Sequence, residues 1–257
     1  MSGLKSIPAQ RARRARTVNA QLQGRAGSPC AACAVRQVAV CSALDDDELG
    51  DLDAILQRRQ LAANAVLFDE GEVATQVYNV TDGCLKLFKL LPDGRKQVTG
   101  FMFAGDFVGL ADSETYICSA EAVTEVALCC FDRSKLDGLA HKHRNFEKRL
   151  LGRARSELAD TQNQMLLLGR KSAEERLASF VLMLSERAVP GGGADNPVNL
   201  PMSGKDIGDY LGLTTETVSR TWSRLQTLKV IKKDAARSLS IVDFEKLQNL
   251  ADGFKLI

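Results

Sequence analysis

Glycines at 71, 83, 94 and 105 return every 11 or 12 residues, and the runs between them, 65–68, 77–80, 85–90 and 97–103, are rich in β-branched, leucine and aromatic residues. Strands this short satisfy their backbone groups only by pairing with one another, and turn residues at this spacing predict a small antiparallel barrel or jelly roll. Pro92-Asp93-Gly94 is a hairpin turn inside that pattern. Residues 120–131 continue it as a further strand and carry Cys129 and Cys130. Ahead of it, residues 44–60 read as one short amphipathic helix whose acidic start, Asp45-Asp46-Asp47-Glu48, suits the helix dipole.

After residue 145 the period changes. Phe146, Leu150, Ala154, Leu158, Thr161, Met165 and Leu168 recur at spacings of four and three with charges between them. This predicts a long helix with a narrow apolar seam. Such a seam pairs with a second copy through Leu150, Leu158, Thr161, Met165 and Leu168, or else packs on the chain's own β unit. Glu157 and Asp160 lie beside it, where like charges weaken pairing. A second helix covers 173–187, and Val189-Pro190-Gly191-Gly192-Gly193 ends it.

Two more helices meet at Leu211-Gly212-Leu213. Ser203 and Asp206 form a capping box for the first, and Ile207, Tyr210 and Leu211 give it one apolar face. Gly212 suits the turn because it tolerates positive φ. Thr214 caps the second helix, with Val218, Trp222 and Leu225 turned inward. Thr215, Glu216, Ser219 and Arg220 are left outside. Arg, Glu, Ser and Thr can each read a base edge, and a second helix offering its first turns to the major groove is how a helix-turn-helix docks. A plain αα-hairpin with a solvated face has the same spacing. Residues 230–233 and 238–242 read as two strands of a wing. Lys232, Lys233 and Arg237 there suit phosphates, or a solvated hairpin tip.

Cys30-Ala-Ala-Cys33 and Cys41 present three soft ligands in one small-residue loop. The residues leave open an iron–sulfur cluster, a zinc ion or a redox pair. Seven cysteines, an odd number, with no secretory signal point to reduced thiols in a cytosol. Net charge is only +2, so any nucleic-acid surface must be a local patch. No apolar run reaches the ~18 residues of a membrane span. Residues 1–29 hold Lys5, Arg11, Arg13, Arg14, Arg16 and Arg25 and no acid, as a disordered basic leader or a transit peptide would.

With these parts in this order, the chain from Cys30 onward resembles the CRP/FNR superfamily of bacterial transcription regulators. AEERLASF at 173–180, DIGDYLGLTTETVSR at 206–220 and TGFMFAGDFVGL at 99–110 carry the resemblance. The C-x2-C-x7-C spacing is similar to that of the oxygen-sensing FNR branch, in its alphaproteobacterial form. The resemblance implies an α+β fold with an N-terminal antiparallel β-roll (a jelly roll of the cyclic-nucleotide-binding kind), a long dimerisation helix and a C-terminal winged helix-turn-helix. The implied divisions are a leader at 1–29, a cluster-binding segment at 30–42, a sensor roll at 43–140, the dimerisation helix at 141–171 and the DNA-binding unit at 172–257.

It implies further that Cys30, Cys33, Cys41 and Cys129 hold a [4Fe–4S] cluster. Cys84, Cys118 and Cys130 compete for the fourth place; position in the motif selects Cys129, and neighbours on a strand face opposite ways. Glu216, Ser219 and Arg220 match the family's base-reading E-x-x-S-R, with Thr215 beside them. The implied partners are double-stranded DNA bearing a TTGAT-type inverted repeat, RNA polymerase and a second copy of the chain, in the cytoplasm. The implied role is that of a regulator, mainly an activator, rather than an enzyme. Where nucleotide-binding relatives hold a phosphate, this chain has Cys118-Ser119 and Gly105-Asp106, with no cation left for it, so no cyclic nucleotide is expected. The rival reading is a cluster-free regulator whose cysteines meet oxidants or nitric oxide directly.

Overall fold

Eight strands between residues 56 and 132 form two antiparallel four-stranded sheets. One has the order β1 (Leu56–Leu61), β8 (Val126–Asp132), β3 (Gln76–Asp82), β6 (Phe107–Val108). The other has the order β2 (Val66–Phe68), β7 (Ser119–Ala122), β4 (Leu85–Leu90), β5 (Lys96–Met102). This is the expected roll. The computed structural model describes residues 30–110, 113–187, 197–235 and 237–254; the basic leader and the loop at 189–193 lie outside them. Gly83, at φ +84°, turns β3 into β4 so tightly that a Cβ would come within 2.1 Å of the Glu125 carbonyl oxygen.

Alternation along the first sheet separates two cores. Tyr78, Val80, Leu128 and Cys130 point into the roll, while Val77, Phe131 and Cys129 point to its outer face. That outer face is covered by residues 30–44, by α1 (Leu49–Ile55), by α2 (Arg133–Lys142) and by Phe146.

Two expectations are corrected here. The helix expected over 44–60 ends at Ile55, because Leu56–Leu61 pairs residue for residue with β8; sheet pairing overrides local propensity. The single strand expected over 120–131 is two, broken at 123–125, and its halves belong to different sheets. β6, α2, β9 (Val198–Asn199) and α7 (Phe244–Ala251) had no expected counterpart.

The long helix is α3 (Arg144–Arg170), roughly 40 Å at 1.5 Å per residue. Its seam does not stay on one surface. Phe146 is fully buried against the outer face of the roll, with Leu150 packed partly on it, and Leu168 packs on the C-terminal unit. Between them Leu151, Leu158 (61 % exposed), Thr161, Met165 (70 % exposed) and Leu166 face outward. Asp160 is not simply a repelling charge, since its Oδ2 lies 3.4 Å from Arg187 Nη2.

The C-terminal unit comprises α4 (Ala173–Arg187), β9, α5 (Gly204–Leu211), α6 (Thr215–Thr227), β10 (Ile231–Ala235), β11 (Ser238–Ile241) and α7. Its sheet has the order β10-β11-β9. The wing is therefore three-stranded, and Asp234 belongs to β10 rather than to a turn. This unit packs on the roll. Phe101 meets Tyr210 with ring centroids 5.2 Å apart, and Lys86 Nζ reaches Asp206 Oδ1 at 2.7 Å.

Candidate functional site

Two places concentrate chemistry. The first is a cavity on the outer face of the β1-β8-β3-β6 sheet, lined by Cys30, Cys33, Cys41 and Cys129 with Val40, Leu52, Asn79, Phe107, Phe131 and Phe146. The four sulfurs come from parts of the chain about a hundred residues apart and reach it by different devices. Cys33 N–H bonds the Cys30 carbonyl at 3.3 Å in a turn, and Cys41 sits in the 3₁₀ turn Val40–Ala43. Val38 anchors this segment over Gly105, where a Cβ would come within 2.7 Å of Val38 Cγ2. Arg36 ties the segment's end down, bonding the Leu44 carbonyl at 3.2 Å and Asp46 at 3.0 Å. Cys129 is presented by β8, between Asn79 on β3 and Arg58 on β1. Phe107 and Phe131 stack at 6.1 Å and form an apolar wall.

Burial dominates the electrostatics of this site. It raises the Cys30 thiol well above its ordinary value, helped by the hydrogen bond its S–H donates to Asp53 and by the charge of that carboxylate. It raises Cys41, and it pushes Cys129 up to about 12 although Arg58 pulls the other way. These thiols are therefore protonated near neutrality, and any metal must displace their protons. Cys130 turns into the roll, Cys84 joins the core beneath the C-terminal unit, and Cys118 packs at the roll interior.

Among the described residues, no three His, Cys, Asp or Glu side chains could hold a metal ion together. As donors the four cysteines fit an iron–sulfur cluster: four soft thiols within walls that are apolar apart from Asn79, with the Asp53 carboxylate beside Cys30. The cavity they line has only about 20 Å³ of free space, so it would have to open to admit a cluster. Sequence reading missed Asn79, Arg58 and Phe146 as parts of this place, because only strand register and the α3 corner bring them there.

The second place is α6. Ser203 Oγ accepts from Asp206 N–H, and Asp206 Oδ2 accepts from Ser203 N–H at 3.1 Å, so the capping box of α5 is complete. Gly212 takes φ +63°, and Thr214 Oγ1 accepts from Thr217 N–H at 3.2 Å to start α6. Val218, Thr221 and Leu225 are buried and Trp222 is half-buried. Thr215, Glu216, Ser219 and Arg220 all stand exposed on the opposite face. Glu216 is held below the usual carboxylate range by its own backbone N–H and by Thr214, so it presents a charged acceptor. Arg220 Nη2 donates to Thr217 Oγ1 at 3.3 Å and keeps its other donors outward. Lys232, Lys233 and Arg237 of the wing are exposed as well.

The segments compared with a nucleotide phosphate site are occupied by the chain's own polar groups. Ser119 Oγ accepts from Glu70 N–H at 2.9 Å. Asp106 accepts from Phe103 N–H at 2.9 Å and is paired with Arg153 and with Arg187, the latter at 2.8 Å. The expectation was that no cation is left for a phosphate; cations do lie near these positions, each of them paired with a carboxylate of the chain. Lys89 acts on Cys118 and Arg153 reaches Asp106, but Lys89 is spent on Glu70 at 2.7 Å.

Comparison with known proteins agrees with this architecture. Residues 58–143 match the cyclic nucleotide-binding domain family and residues 175–250 the Crp-like helix-turn-helix domain family. The chain is 41% identical over 200 residues to the nitrogen fixation regulation protein FixK of Bradyrhizobium diazoefficiens, covering 78% of this chain and 84% of that one. It is 40% identical over 217 residues to the transcriptional activatory protein AadR of Rhodopseudomonas palustris, covering 84% and 91%. The solved structure of FixK2 from Bradyrhizobium japonicum superposes with a TM-score of 0.72 at 34% identity, over 79% of this chain and 99% of that one. A roll, a long connecting helix and a winged helix-turn-helix, matched over this length and identity, make the chain a member of the CRP/FNR family of transcription regulators.

Proposed function

We propose that this regulator responds to oxygen through a [4Fe–4S] cluster on Cys30, Cys33, Cys41 and Cys129, and that it binds a TTGAT-type inverted repeat as a homodimer, in the cytoplasm, mainly to activate. The observation that carries the reading is the convergence of those four thiols on one apolar cavity. When bound, such a cluster supplies iron–sulfur bonds that oxygen breaks.

The chain's own residues supply the rest. Phe146 both walls the cavity and opens α3, so the position of the 30–41 segment is felt at the first turn of the helix. Farther along, Leu151, Leu158, Met165 and Leu166 form an apolar stripe exposed in the single chain, and a second copy is the partner that suits it. Two copies joined there carry two α6 helices, as a palindrome requires. A cluster that prefers the pairing conformation shifts the equilibrium only by its difference in affinity for the two states. The tip of the β4–β5 hairpin at 92–96, exposed over 92–95, is the candidate contact for RNA polymerase. Cyclic nucleotides have no part, since the groups at the compared positions are already paired.

Anaerobic purification with iron and sulfide analysis, followed by operator binding before and after air, tests the proposal. About four irons per chain and binding that weakens at least tenfold in air are expected. Colourless anaerobic protein that still binds its operator would favour cysteines that meet oxidants or nitric oxide directly. Addition of cyclic AMP should leave binding unchanged in every case.

A further inference from the structure

One side chain on the outer face of the first sheet is out of keeping with its neighbours. Asn79 lies inside β3, between the buried Tyr78 and Val80, and its cross-strand neighbours are Cys129 and Phe107. Residues directly opposite across a sheet share a face. Asn79 is 4 % exposed, and its Oδ1 is buried without any hydrogen-bond partner. A buried amide oxygen left so is costly, and an apolar side chain of similar size would avoid the cost. Apart from the cysteines, Asn79 is the one polar side chain among the described residues lining the four-cysteine cavity.

A carboxamide carries an acceptor and two donors on one rotatable plane. Turned one way, its Oδ1, which has no partner here, can accept a hydrogen bond. Facing sulfur that has lost its protons and can only accept, the same group turned about its last torsion offers N–H. An aliphatic side chain can do neither.

We infer that Asn79 is a positioning residue of the cysteine centre, donating an N–H to sulfur in the loaded site and so setting how fast that centre is lost to oxygen. The inference rests on the four-cysteine reading above. Asn79 makes and breaks no covalent bond. Its hydrogen bond draws charge from sulfur, which favours the more reduced form of a cluster and raises its potential. That role accounts for the retention of a buried amide oxygen without a partner at this position.

The test compares the full chain with Asn79→Leu and Asn79→Asp, each reconstituted anaerobically with ferrous iron and sulfide. Asn79→Asp keeps the shape and removes the donor. Both variants should lose their visible absorbance in air about fivefold faster than the unaltered chain, the scale of one hydrogen bond, and their potentials should move negative. Metal-free Asn79→Leu should melt a few degrees higher, because the unpartnered oxygen is gone. Bleaching rates and potentials equal in all three proteins would overturn the role of Asn79 while leaving the cysteine reading standing. An unaltered chain that takes up no iron would overturn both.

Discussion

Arg220 stands exposed two turns into α6 with donors free to reach outward, and at this scale specificity is a matter of single contacts. Arg220→Ala is expected to cost ~1–3 kcal/mol of operator binding and to relax the preference at one guanine; titrations against operators altered at single positions read both. The reading face was legible because helical spacing alone puts Thr215, Glu216, Ser219 and Arg220 on one side. Gly208 was not legible. It sits mid-helix in α5, where a glycine reads as a weak residue, but a Cβ there would come within 2.6 Å of the Leu213 carbonyl oxygen. Only the returning chain after Gly212 creates that demand. Asn79 went unread for a similar reason, since an asparagine in a strand says nothing about which residues oppose it.

Among the elements, α1 and α3 are joined by His143 at the α2–α3 corner. Its Nδ1 lies 2.9 Å from Glu48 Oε1 and its Nε2 2.8 Å from Asp51 Oδ2. The hydrogen bond to Asp51 raises the imidazole above its ordinary value against the opposing effect of burial, and Glu48 adds to it. A raised folded value means stability fully present below about pH 6.5 and lost as pH rises through the folded value. The melting temperature of the metal-free protein should therefore decline across that window, and His143→Gln should flatten the decline. On α3, Leu158→Glu should weaken dimerisation at least about tenfold without lowering the monomer's melting temperature, as its side chain touches little of its own chain. Sedimentation of the anaerobic protein measures it; unchanged dimerisation would remove Leu158 from the interface. The stripe was legible as a period, but the division of its ends was not. Phe146 and Leu168 have the same spacing as Leu158 and are claimed by the roll and by the C-terminal unit.

For the whole molecule, the notable joint is between the β-roll and the helix-turn-helix unit. Lys86 Nζ lies 2.7 Å from both Glu121 Oε1 and Asp206 Oδ1, with its side chain only 9% exposed. Burial works against the charge, but the two carboxylates more than restore it and leave Lys86 above its ordinary value. Asp206, which also caps α5, is held below its usual range once Lys86 and Ser203 outweigh burial. Lys86→Met should cost about 3 kcal/mol, because it leaves the half-buried Glu121 and Asp206 carboxylates close together with only Lys96 to offset them. It should also loosen α5 from the roll, which hydrogen exchange at Gln97 and Tyr210 would detect. Equal stability and exchange in Lys86→Met would show that the apolar contact of Phe101 with Tyr210 suffices.

Strand content, the long helix, the capped helix pair and its exposed reading face follow from residues within a few positions of one another, so periodicity and capping chemistry alone determine them. Which sheet each strand joins, where α1 yields to β1, and which seam residues stay exposed depend on pairings between distant segments. The meeting of Cys129 with Cys30, Cys33 and Cys41 belongs to that second kind. Spacing nominated the first three, but a sulfur about ninety residues away could be brought to them only by the register of β8 against β3 and by the segment folded over that sheet.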